Sequence, residues 1–321
     1  MIPLAEIEAA RERLAGIAVP TPLVRLSLDE APAEIWLKLE NLQPIGSFKL
    51  RGAGNAILSA PREALEHGVV TTSTGNMAQG VAWMARRLGV PATIVVPDNA
   101  SPAKLAAVER LGGRIVRIPW ERWWAAVEAD EERDLGEGVE GYFVHPVRDE
   151  PVIAGNGTIG LELVEQLDDI DAVLIPWGGG GLTTGIASAL RALSPSTRVY
   201  VCEPETGAPV SAALANGGVP VPVRFTPSFV DGAGSGGLLP DMWERARPLV
   251  DGAFPIPLAR AADTVRLLLE RARIVAEGAA ALPVAAALDG LAGSGRVVCI
   301  VSGGNIDASR LRAILDGRVP D

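Results

Sequence analysis

Lysine is scarce in this chain: Lys38, Lys49 and Lys104 stand against 26 arginines in 321 residues. Lys49 lies in the hexapeptide SFKLRG (Ser47–Gly52), directly after the turn-like segment NLQPIG. An amine differs from a guanidinium in one decisive way. It can shed its proton near neutral pH and then attack a carbonyl to form an imine. If Phe48 opens a helix, Lys49 falls in the first turn, where the positive end of the helix dipole and partial burial both favour the neutral amine. A second candidate is the run Gly178, Gly179, Gly180, Gly181 in AVLIPWGGGGLTTGIASAL, between an apolar strand-like stretch and a helix. Four glycines let the backbone turn its N–H groups onto an anion at a helix start, which makes a phosphate cradle. It is not a Walker loop, because no Lys-Ser/Thr pair follows. Nor is it a dinucleotide fingerprint, because Thr183 or Thr184 falls where the last glycine belongs. Taken together, the lysine and the cradle point to an aldehyde cofactor that carries a phosphate.

Two further motifs stand at strand ends. In STGN (Ser73, Thr74, Gly75, Asn76), small hydroxyls and a glycine precede a helix, which suits a substrate carboxylate, though Ser and Thr are also common caps. In VVCIVSGGN, Ser302 stands at the carboxyl end of an apolar run, where open α/β sheets place ligand contacts. The stretch PWERWW, with Trp120, Arg122, Trp123 and Trp124, is a candidate neighbour of the pocket, or a helix packing its tryptophans inward.

The elements that must hold these residues alternate. Apolar runs IWLKLE, GVVTTS, ATIVVP, RIVRIP, DAVLIP, RVYVCEP and RVVCIVSGG are each bounded by Gly, Pro or charge, and amphipathic stretches separate them. That is the pattern of βαβ units and predicts a parallel α/β architecture. Ser101-Pro102 predicts a helix start, Gly112-Gly113 its end, and residues 120–140 an acidic helix studded with tryptophan.

Composition narrows the setting. Apolar residues make up 48% of the chain and charged residues 21%, a globular balance, and the net charge of −10 argues against nucleic-acid and anionic-membrane partners. No 18-residue uncharged apolar run and no signal-like leader is seen, so a cytoplasmic protein is expected. Cys202 and Cys299 read as buried, reduced thiols, and the two histidines, His67 and His145, give little for a metal site or a Ser-His-Asp triad.

In this order the motifs resemble the fold-type II pyridoxal-phosphate enzymes, nearest to the threonine/serine dehydratases and serine racemases. TPLVRL, SFKLRG, STGNMAQGVA, VIAGNGTIGLEL, GGGG, AEGAAAL and SGGN extend the resemblance over nearly the whole chain. It implies a tryptophan synthase β-like fold: two open parallel-sheet lobes with the cofactor in the cleft. A large domain of residues 1–64 and 146–321 would carry the cofactor, and residues 65–145 would form a small mobile domain. A homodimer is expected. The resemblance implies Lys49 as the Schiff-base lysine, with Phe48 packed on the pyridine ring. Asn76 would bind the phenolic oxygen, Gly178 to Gly181 the phosphate, and Ser302 would face the ring nitrogen. Ser73, Thr74, Gly75, Asn76 and Met77 would bind substrate, with Thr74 also catalytic. The implied reaction is β-elimination and deamination of L-threonine or L-serine to a 2-oxo acid and ammonia. Serine racemase, hydroxyaspartate dehydratase and threonine synthase share the scaffold, and a non-catalytic cofactor-binding protein is the remaining alternative.

The chain departs from that pattern in places. Met77 replaces the usual histidine after GN, Thr74 the racemase serine, and Asn156 the glutamine of AGQGT. Glu203 matches one ligand of the family's divalent-metal site, but Pro209 falls where a racemase supplies aspartate.

Overall fold

The computed structural model describes residues 1–100, 102–129 and 134–321. Among them are ten strands: β1 (Leu23–Arg25), β2 (Glu34–Leu39), β3 (Val69–Thr72), β4 (Ala92–Pro97), β5 (Arg114–Ile118), β6 (Tyr142–Phe143), β7 (Ala172–Pro176), β8 (Arg198–Pro204), β9 (Gly252–Ile256) and β10 (Arg296–Val301). They form a six-stranded sheet in the order β1-β2-β10-β7-β8-β9 and a four-stranded sheet in the order β5-β4-β3-β6. Every pairing is parallel except β1 with β2. The exception has a simple cause. The connection between β1 and β2 is too short for the crossover a parallel pair needs, so the chain reverses and β1 lies antiparallel at the edge.

Helices cover both faces of the larger sheet, and the strand sequences show it. Along β10, Val297, Cys299 and Val301 join the cluster of the helix Gly278–Leu288, while Val298 and Ile300 join that of the helices Glu150–Gln166 and Gly181–Leu193. Strands buried on both faces read as continuous apolar runs rather than alternating ones, as VVCIV does. Cys202 and Cys299 are free and buried in this sheet.

The smaller sheet packs Val69, Ala92, Ile94 and Val96 against the helix Asn76–Leu88, whose Met77, Ala78, Val81, Ala82, Met84 and Ala85 recur at helical spacing. Leu50, Ala53, Ala56 and Ile57 of the helix Lys49–Ser59 and Val152 join that core, so this helix lies between the two sheets. Glycines bring helices close: a Cβ at Gly160 would stand 2.7 Å from that of Ala189. Asn156 is buried there rather than in the cleft, its Oδ1 without a hydrogen-bond partner among the described residues.

One expectation needs amendment. The helix begun at Trp120 ends at Glu128 rather than running to residue 140: the backbone of its C-cap, Ala129, turns extended, at ψ 140°; residues 130–133 lie outside the described residues. The helix Pro102–Arg110 begins at the proline, and its expected cap, Ser101, also lies outside them.

Candidate active site

A cleft of about 570 Å³ lies at the carboxyl ends of β3, β7 and β10, with Thr72, Pro176 and Ser302 on its walls. It brings together Phe48, Lys49, Ser73, Thr74, Gly75, Asn76, Met77, Ser302 and the four glycines. The three parts of the site are built by separate devices.

Lys49 is the first residue of its helix, and Phe48 is the N-cap. The entering chain is pinned to β10: Ser47 bridges Gly303, and the Phe48 N–H donates to the Ser302 carbonyl at 3.0 Å. Lys49 Nζ donates to the Pro146 carbonyl at 2.7 Å and sits 5.2 Å from the Phe48 ring centroid. Protein atoms crowd this amine, and the burial lowers its pKa to about 8, against the Glu277 carboxylate, which pulls the other way.

His145 holds the loop that receives the lysine. Its Nδ1 accepts the N–H groups of Val147 and Arg148, at 3.0 and 2.9 Å, which leaves Nε2 to donate to the Val127 carbonyl at 3.0 Å. Val147 then packs on the glycine run. A Cβ at Gly179 would stand 2.7 Å from Val147 Cγ2, and one at Gly181 would stand 2.8 Å from the Val147 carbonyl oxygen. Gly180 sits at φ +95° under the buried Trp177 ring, in the left-handed region that disfavours other residues.

Two helices open on the cleft with no side chain capping their first N–H groups. One is Gly181–Leu193, behind the glycine run; the other is Asn76–Leu88, behind Ser73 to Gly75. Each presents unpaired donors at the positive end of a dipole, and so attracts an anion. The chain thus sets the Lys49 amine in one cleft with two uncapped helix starts.

The sequence reading passed over Glu277. It is 6% exposed and lines the cleft; its N–H donates to the Gly303 carbonyl at 3.0 Å, and its Oε1 accepts Asn76 Nδ2 at 2.9 Å. Asn305 Nδ2 in turn donates to Asn76 Oδ1 at 2.8 Å. The signal was a lone acid in the apolar, small-residue run around AEGAAAL.

The supporting ion network also went unread. Arg51 grips Glu40 through Nε and Nη2, both at 2.8 Å, and reaches Glu162 with Nη1 at 2.6 Å; Lys38 Nζ donates to the other Glu162 oxygen at 2.5 Å. Burial alone would raise the Glu40 carboxyl. The guanidinium beside it and the bonds from Arg51 and Thr21, with Lys38, together hold it below the usual carboxylate range. Lys38 spends its amine on structure, and only its place within an apolar strand hinted at that.

Two candidates stand apart from the cleft chemistry. Arg122 pairs with Asp134 on the surface, at 2.5 Å, and does not line the cleft, whereas Trp123 does. Trp120 and Trp124 are 43% and 41% exposed, so those two tryptophans do not pack inward. The Glu203 carboxylate accepts Val210 N, Ser211 N and Ser211 Oγ, each at 2.9 Å, and burial raises its pKa. It caps the helix Pro209–Ala215, and no group of three metal-ligating residues occurs among the described residues. The residues at this position do not fit a metal ion.

The family model of the pyridoxal-phosphate dependent enzymes matches residues 15–303, and the chain belongs to that family. An L-threonine ammonia-lyase of Geobacter sulfurreducens is 38% identical, over 98% of this chain and 79% of its own. An L-threo-3-hydroxyaspartate ammonia-lyase of a Pseudomonas species is 36% identical, over 97% and 98%. Among solved structures, maize serine racemase superposes with a TM-score of 0.86 at 32% identity, covering 96% of this chain and 95% of that one.

Proposed function

We propose that this protein is a pyridoxal-phosphate-dependent ammonia-lyase that eliminates the β-hydroxyl of L-threonine or L-serine and, after hydrolysis, releases a 2-oxo acid and ammonia. One observation carries the reading: the Lys49 amine, with its lowered pKa, stands in a cleft on which two uncapped helix N-termini open. The residues fit the cofactor. A Cβ at Gly179, Gly180 or Gly181 would strike its neighbours, so the run is kept bare where a phosphate needs close approach to the backbone. Gly178 to Gly181 would hold that phosphate, Phe48 would pack on the ring, Asn76 would bind the phenolic oxygen, and Ser302 would face the ring nitrogen. When bound, pyridoxal phosphate supplies an electron-withdrawing ring that acidifies the α C–H bond of the amino acid.

The chain's own residues do the rest. The N–H groups behind Ser73, Thr74, Gly75 and Met77 bind the substrate carboxylate and so fix which bond at Cα faces Lys49. Lys49, whose pKa is lowered to about 8 so that its amine loses its proton near neutral pH, takes the α proton. Ser302 offers a neutral hydroxyl, which does not hold a proton on the ring nitrogen as an aspartate would, and this favours rapid loss of the β-hydroxyl. Glu277 keeps Asn76 in place through the bond between them. Residues 65–145 move as a unit to close over the substrate.

The test is production of 2-oxobutyrate from L-threonine by the holoenzyme. Lys49→Arg keeps the charge but forms no imine, and turnover should drop at least a hundredfold, to roughly the loss expected for a missing proton-transfer group. A variant that keeps a tenth of the activity would overturn the assignment of Lys49.

A further inference from the structure

One wall of the cleft offers a fixed apolar face. Trp123 and Val127, four residues apart on the helix Trp120–Glu128, fall on one side of it, and both line the cleft. The Trp123 Nε1–H donates to the Val95 carbonyl at 3.1 Å, so the indole has no donor left for a ligand. The ring is also braced. Its centroid lies 5.3 Å from that of Trp120 and 6.3 Å from that of Trp124, and it packs against the cluster of Val70, Val95 and Ile118. The Val127 carbonyl meets His145 Nε2 at 3.0 Å, which ties the same helix to the loop that receives Lys49.

Strand register sets this wall beside the substrate. Val95 is the partner of Thr72 in the β3–β4 pairing, and Thr72 leads directly into Ser73 and Thr74, where the carboxylate would bind. The carboxylate and Cβ are both bonded to Cα. With the carboxylate at the start of the helix Asn76–Leu88 and the α proton turned to Lys49, a substituent on Cβ meets one of two walls. The side of the six-stranded sheet brings three acids, Glu277, Asp231 and Asp307. The side of the four-stranded sheet brings Trp123, Val127 and Ala107; Arg110 is its one charged lining group among the described residues, and it is exposed. An alkyl group gains by leaving water for the second wall and gains nothing beside carboxylates.

The geometry points to Trp123, with Val127, as the residue that reads the substituent on the substrate's Cβ and selects apolar ones. The inference rests on the lyase reading above. It extends the substrate class to β-hydroxy-α-amino acids whose alkyl chain is longer than the methyl of threonine, 3-hydroxynorvaline being the next member. Serine, which has no such substituent, is placed at a disadvantage. The atoms balance without an oxidant. The α proton passes to Lys49, the β C–O bond breaks, and the hydroxyl leaves as water after taking a proton. One water then adds as ammonia is released, which turns 3-hydroxynorvaline into 2-oxopentanoate.

The experiment compares kcat/KM for L-threo-3-hydroxynorvaline and L-serine in the holoenzyme of the wild type, Trp123→Ala, Trp123→Phe and Val127→Thr. Calorimetric titration of the same proteins with L-norvaline and L-alanine, the matching pair without the hydroxyl, reads binding apart from turnover. An apolar pocket discriminates by about 10–200-fold per methylene, so the wild type should favour 3-hydroxynorvaline about tenfold or more. In Trp123→Ala that ratio should fall about tenfold, the norvaline preference should fall with it, and Trp123→Phe should keep part of both. A Trp123 that serves packing alone would lower both substrates alike; a ratio and a norvaline preference that both stay within twofold of the wild type overturn the inference. Val127→Thr puts a hydroxyl on the same wall at nearly unchanged shape and carries the test by the same criterion if Trp123→Ala does not fold. Conversely, if no hydroxy amino acid reacts but the norvaline preference still depends on Trp123, the lyase reading fails and the role of Trp123 stands.

Discussion

Lys49 Nζ meets the carbonyl of Pro146 at 2.7 Å, and the next residue, Val147, is the one on which Gly179 and Gly181 pack. The Lys49 amine and the glycine run are thus located by consecutive residues of one loop, itself tied down by His145. Gly179→Ala should disturb both. Its methyl would press on Val147 Cγ2 and Cγ1, at 2.7 and 2.8 Å. Overpacking of this kind costs about 1–3 kcal/mol, so cofactor affinity should fall roughly tenfold. Titrating the apoprotein with pyridoxal phosphate measures it; unchanged affinity would show that Val147 yields freely.

Glu277 raises the pKa of Lys49, so Glu277→Gln should lower it below its value of about 8. Imine formation needs the neutral amine, and the rate of cofactor uptake by the apoprotein should rise with pH through that midpoint. In the variant the rise should come at lower pH. A midpoint that stays put or moves upward refutes the coupling.

Thr74 lines the cleft beside the helix start at Asn76. Its β-branch restricts χ1, and its hydroxyl is a poor base without a tuning neighbour. Thr74→Ala should therefore raise KM more than it lowers kcat, a loss of binding more than of chemistry. In the wild type, chiral analysis after partial turnover of L-serine should find pyruvate forming faster than D-serine. The opposite order would favour a racemase.

Much of the cleft's lining was legible because its residues are marked locally. Lys49 with its helix start, the glycine run, STGN and the serine that follows β10 each declare themselves within a few residues. The βαβ alternation reads equally well, since each strand's apolar run is set by the two faces it buries. What resisted reading depends on long-range closure. Glu277 reaches Asn76 across 201 residues of chain, and Glu162 reaches Lys38 across 124. Arg110 and Arg122 are alike on paper; only the fold sends one to the cleft and the other to Asp134.

The Glu40 carboxyl titrates below its usual value in the folded chain, so its stabilising contribution is complete above the unfolded value, about 4.5. It is lost as pH falls from there through the folded value. Glu40→Gln should flatten the acid limb of stability against pH. At pH 7 it should cost about 3–5 kcal/mol, because Arg51 is left buried with one carboxylate fewer. Urea unfolding at pH 4 and pH 7 checks both; an acid limb as steep as the wild type's rules out the assignment.

Lys38, Arg51, Glu40 and Glu162 are formally two positive and two negative charges, largely out of contact with water. Dissolved ions act through water, with a screening length of about 8 Å at physiological ionic strength, and they have little access to this group. The exposed guanidinium of Arg110 has no such shelter. Salinity should therefore act unequally on the one cleft: the mounting of the Lys49 helix is indifferent to it, while the pull of the Arg110 charge on anions fades as salt rises.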